Sequence, residues 1–221
     1  MADEEKGDDL AEFTRKYDYE PVFSVPTEPW RIGALWEEAY FDSAKYVIEG
    51  VLKRQLLPSV HGVAGVFLFR HYLEIALKFI IIHARWLADH GRIARPEDIE
   101  DVAKTHRLKT LWEMAAKDCK GKIREETWKE CDIEFVEKMI LEFDAVDSTG
   151  FRFRYHGETF GTHDPLRDIL RVNELHIRYD VLLAQMDHVR RVLGMIDTYL
   201  YESHAMMAQW EAEMRAEMDS W

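Results

Sequence analysis

Hydrophobic positions along this chain recur at spacings of three and four residues over long stretches, the period of one face of an α-helix. Trp36, Tyr40, Ala44, Val47, Val51 and Gln55 predict a first helix over about 33–56, ended by Pro58. A second is predicted over about 61–89, and it differs in kind. At 100° per residue, Arg70, His71, Glu74, Lys78 and Arg85 share one arc, while Val66, Phe69, Leu73, Ala76, Leu77 and Ile80 lie on one side of it and Leu68, Ile75, Phe79 and Ile82 on the other. Such a helix is expected to be buried almost all round, with a single polar seam. Shorter helices are predicted over about 107–119, with Leu108, Leu111, Trp112 and Ala115 inward, and over about 124–146, with Trp128, Ile133, Val136, Ile140 and Phe143 inward. The last helix carries the longest seam. Leu175, Tyr179, Leu182, Met186, Val189, Leu193, Ile196 and Leu200 alternate fours and threes, and Met207, Trp210 and Met214 resume the series after Ser203.

Six prolines and eleven glycines fall between these stretches rather than at the close spacing of an all-β chain. The expected fold is therefore all-α, an antiparallel bundle of about five helices with a long C-terminal one. Residues 1–30, acidic and holding three of the prolines, are expected to form a partly ordered arm, and 31–221 a single domain. The last seam outruns any partner in such a bundle, so a homodimer through the last helix is expected.

The 221 residues are 47% hydrophobic, ample for a packed core. A net charge of −13 disfavours non-specific attraction to phosphate backbones, so any nucleic-acid contact must come from a local basic site. Two cysteines outside any CxxC pattern, an acidic start (MADEEKGDDL) and interrupted apolar runs predict a cytoplasmic protein without a membrane span. No zinc or di-iron pattern, phosphate loop or hydrolase elbow occurs, and neither a metal nor a cofactor is expected.

Two places carry candidate chemistry. Arg70, His71 and Glu74 lie on a helix expected to be buried, where unpaired charge is costly, so partners are expected from Asp147, Arg154 or Tyr155. The stretch FRFRYH interleaves Phe151, Phe153 and Tyr155 with Arg152 and Arg154, which offers stacking faces and guanidinium forks for bases and phosphates. The same aromatics could equally point inward while the arginines neutralise Glu142, Asp144 and Asp147.

FRHYLEIALK on a buried helix, HRLKTLW opening a short one, and DSTGFRFRY before a long terminal helix together resemble bacterial helical proteins related to the HEPN superfamily, over about residues 34–200. The resemblance implies an antiparallel four-helix core with an added short helix and frequent dimerisation. In active members it also implies metal-independent RNA cleavage by an arginine and a histidine separated by a few residues near the start of the last long helix. Arg171 and His176 stand at that place; Arg85 with His90 and Arg54 with His61 match the spacing elsewhere. Under that reading His176 moves the proton of a ribose 2′-OH or of the leaving oxygen, and Arg171 holds the phosphate. Positions 171 and 176 are about 140° apart on a helix, which favours completion of the pair by a second subunit.

Three readings stand. One is a HEPN-like module binding a nucleotide, RNA or protein partner through Arg70, His71, Glu74, His106, Asp147, Arg152, Arg154 and Tyr155. Another is a metal-independent endoribonuclease of toxin or phage-defence type using Arg171 and His176. The last is a structural helical adaptor.

Overall fold

The computed structural model describes residues 29–88, 99–148 and 176–219. They are helical as expected: α1 (Pro29–Leu52), α2 (Val63–Ala88), α3 (Glu100–Lys104), α4 (Leu108–Cys119), α5 (Glu125–Glu130), α6 (Ile133–Val146) and α7 (Tyr179–Asp219), with a π-helical turn at Pro58–Gly62 before α2. No strand occurs among the described residues. The expected arm of residues 1–30 falls almost wholly outside them.

Helix α2 is the axis of the bundle, packed against α1, α4 and α7. Its apolar residues face three neighbours at once, so Phe69, Leu73, Leu77, Ile80 and Ile81 are all buried. Full burial of such side chains contributes roughly 1.5–3 kcal/mol each. α1 runs antiparallel to α2, with Phe41 edge-on to Phe69 and Tyr72 and Ile48 beside Gly65. α7 runs parallel to α2: the Tyr179 hydroxyl donates to the Pro58 carbonyl at one end, and His83 meets Asp197 towards the other. Gly62 makes the first contact feasible, because a Cβ there would lie 2.3 Å from the Tyr179 oxygen.

Two expectations are corrected. The inward face of α1 is Phe41, Ala44, Ile48 and Val51, whereas Trp36 and Gln55 are exposed. Its apolar stripe is wide enough for two registers, and the fit of Phe41 against Phe69 and Tyr72 selects one. The stretch 124–146 is two helices, α5 and α6, broken at Cys131 and Asp132. Burial of Cys131, with its carbonyl accepting from the Ile133 amide at 2.6 Å, turns the chain there. The seam of α7 packs as expected through Leu182, Met186, Val189, Leu193, Ile196 and Leu200, and beyond Leu200 it leaves the bundle.

Candidate functional site

The polar seam of α2 is not a solvated stripe. Arg70 is only 1% exposed, and its guanidinium is held on three sides. Nε donates to the Asp147 carbonyl (3.2 Å), one terminal nitrogen to Glu74 (3.3 Å) and the other to the His106 carbonyl (2.8 Å). The Asp147 carboxylate adds an ion pair at 3.6 Å. Glu74, one turn further on, accepts from Lys78 (2.9 Å) and His106 Nδ1 (2.8 Å). Burial pushes the Glu74 carboxyl up, but Lys78 and His106 together outweigh it and hold it below the usual carboxylate range.

One α2 stripe thus clamps the turn before α4 and the end of α6. Asp144 of α6 reinforces the joint by accepting from the Lys109 amide (3.1 Å) in the first turn of α4, where free N–H groups and the helix dipole favour a carboxylate. Arg85 does the same for α3 and the far end of α4 through Asp101 and Asp118.

The product of this scaffold is the orientation of His106. An ionised carboxylate only accepts, so Nδ1 donates its proton to Glu74, and the other edge of the ring is turned outward on a side chain that is 61% exposed. Beside the clamp lies a cavity of about 280 Å³ between α2, α6 and the start of α7. Val66, Met139, Phe143, Val146, Ile177 and Leu182 make its walls, and Glu142, His176, Arg178 and Gln185 its polar lining. Val66 stands one turn before Arg70 and Val146 next to Asp147, so cavity and clamp adjoin.

The structure joins Arg70, Glu74, His106 and Asp147, and turns the His71 ring another way. That ring packs edge-on against Tyr40 (4.4 Å) and parallel to Phe67 on the α1 side. Arg70 and Asp147 are also too enclosed to touch a ligand: they position the site, and His106 and His176 are its exposed members. Arg152, Arg154, Tyr155 and Arg171 lie outside the described residues.

A second polar cluster escaped the sequence reading. His83 of α2 meets Asp197 of α7 at 2.6 Å. Glu37 of α1 lies near both, and burial, then Asp197, push its carboxyl up to about 7 against the pull of Arg190 and His83. The neighbouring Tyr72 hydroxyl is buried without a hydrogen-bond partner among the described residues, and burial, then Glu37, raise its pKa. The available signal was that Glu37, His83 and Asp197 each adjoin an apolar seam position. Burial likewise pushes the Cys119 thiol up to about 12, which leaves it inert.

Among the described residues no group of three or more histidine, cysteine or acidic side chains is placed to hold a metal, and no helix is long and apolar enough to cross a membrane. Fold and site define a helical bundle with a braced, histidine-bearing end. No family model, curated protein or solved structure matches the chain.

Proposed function

We propose that this protein is a HEPN-like helical module that binds a nucleotide or the end of a single-stranded RNA at the face carrying His106 and His176. The observation that carries this reading is the apolar cavity of about 280 Å³ with His176 in its lining. Its size suits one base ring rather than a larger organic ligand, whose pockets run from roughly 300 Å³ upward. In sequence, Asp147 is followed within a few residues by Phe151, Arg152, Phe153, Arg154 and Tyr155, residue types that stack on bases and pair with phosphate.

Fluorescence anisotropy with labelled RNA octamers, and calorimetry with nucleoside monophosphates, test the proposal. Val181→Trp, at an exposed position of the cavity lining, is expected to block binding while leaving the circular dichroism spectrum unchanged. His176→Ala is expected to weaken binding at least tenfold. Failure of the wild type to bind any of these ligands would overturn the reading.

The exposed His176 imidazole in the cavity lining favours a second reading, metal-independent RNA cleavage. Under it the protein cuts single-stranded RNA in EDTA and leaves 2′,3′-cyclic phosphate ends, and His176→Ala abolishes the cut while Arg85→Ala retains it.

A further inference from the structure

Beyond Leu200, the last core residue of α7, the helix continues to Asp219. Met207 still packs against the core, but Met206, Trp210, Met214 and Met218 are 72, 62, 41 and 72% exposed. They recur every four residues and so form one stripe that drifts slowly round the helix, about 18 Å long from Met206 to Met218. Scattered exposed apolar residues are ordinary; a continuous Met–Trp stripe on a projecting helix marks an interaction surface.

Its charge selects the occupant. Between Glu202 and Met218 stand four glutamates, Glu202, Glu211, Glu213 and Glu217, and one arginine, Arg215. At 100° per residue, Glu202, Glu213 and Glu217 fall along one edge of the stripe and Glu211 along the other, while Ala205, Ala208, Ala212 and Ala216 form the back. A second copy, the partner expected from the seam, would bring the same excess of glutamate to the same stripe and bury like charges together. The first 28 residues of the chain, nine acidic and three basic, are no better matched. An anionic membrane is repelled for the same reason.

We propose that the projecting part of α7 is a docking helix for a basic amphipathic helix of another protein, whose apolar residues at three and four residue spacing cover Met206, Trp210 and Met214 while its lysines or arginines meet Glu202 and Glu213. Adaptable thioether side chains provide the apolar contact and the glutamate edges the orientation. This inference is independent of the nucleotide-binding proposal, because it concerns the opposite end of α7 from His176.

The test uses the full chain and a synthetic amphipathic leucine–lysine helical peptide. Calorimetry is expected to show one peptide per chain. Met206→Ser combined with Met214→Ser should weaken binding at least tenfold, and Glu202→Gln combined with Glu213→Gln should weaken it and flatten its salt dependence. All four side chains lie on the projecting segment, so the fold is expected to survive both changes, as circular dichroism would show. Three results overturn the proposal. One is no binding. Another is equal binding of a scrambled peptide of the same composition, or equal binding by the Met206/Met214 variant, which would reduce the contact to charge alone. The last is a dimer in light scattering that Trp210→Glu converts to a monomer, which would assign the stripe to a second copy.

Discussion

Two polar clusters share helix α2, and they are built on opposite principles. Around Arg70, every charge meets a complementary one: a guanidinium with three acceptors, and a carboxylate with a lysine, an arginine and a histidine. Around Glu37, burial and the Asp197 carboxylate outweigh Arg190 and His83, His83 itself bonds to Asp197, and a buried hydroxyl lacks a partner among the described residues. The first cluster joins chain segments that would otherwise part, because a satisfied buried network strengthens itself in a low dielectric. In the second, the same low dielectric pushes the Glu37 carboxyl up to about 7, so the packing of α1 on α2 and α7 is expected to respond to pH. Burial of charge is thus no single device: what matters is whether the partners arrive with it.

The sharpest way to break this contrast is to remove the centre of the satisfied cluster. Arg70→Ala takes the cation from the buried Asp147, leaves Glu74 only Lys78 and His106, and strips the Asp147 and His106 carbonyls of their donor; it is expected to cost about 3–5 kcal/mol in urea unfolding. A loss below roughly 1 kcal/mol would show that water reaches the clamp.

Glu37→Gln tests the other cluster, and the sign is opposite. In the folded protein Glu37 keeps its proton up to about pH 7, against 4.5 for an ordinary glutamate. Between those values the folded state holds a proton that the unfolded chain has released, so stability falls as pH rises through that window and stays reduced above it. The amide variant is expected to be more stable than the wild type at pH 8, on the order of 1–3 kcal/mol, and to lose this part of the pH slope. Equal slopes for both proteins in denaturation at pH 5, 6, 7 and 8 would remove Glu37 from the account.

Smaller effects refine the comparison. His106→Ala leaves Glu74 its lysine and arginine, so a loss of only about 1 kcal/mol is expected, with the larger consequence for ligand binding. Tyr72→Phe deletes a hydroxyl that makes no hydrogen bond among the described residues, and is expected to change stability by roughly 0.5 kcal/mol or less, in either direction. A loss of several kcal/mol there would reveal a buried water bridging the hydroxyl to Glu37.

The helices were largely legible in the sequence. So was the Arg70 cluster, since charges on a helix apolar on both flanks had to find partners, and Asp147 was among those expected. His71 could not be told apart from Arg70, because neighbours on a wide arc differ only in which helix lies opposite. The choice between Trp36 and Phe41 as the inward edge of α1 failed for the same reason. The break at Cys131 carried no proline or glycine to announce it; it follows from burial of a small side chain. The Glu37 cluster left the faintest trace, since Glu37, His83 and Asp197 come from three helices and share no spacing.

The sequence alone determined what depends on local period: an all-helical chain, a buried second helix, and a last helix too long for the bundle it serves. Hydrophobic spacing within one helix states which face must leave water, and it does so without reference to any other segment. Only the tertiary structure decided which polar groups meet, that Arg70 is braced while Glu37 is buried beyond what Arg190 and His83 offset, and that Met206, Trp210, Met214 and Met218 stand outside the bundle. Those outcomes depend on distances of a few ångströms between helices far apart in the chain, where burial sets the dielectric and each neighbour's charge sets the sign.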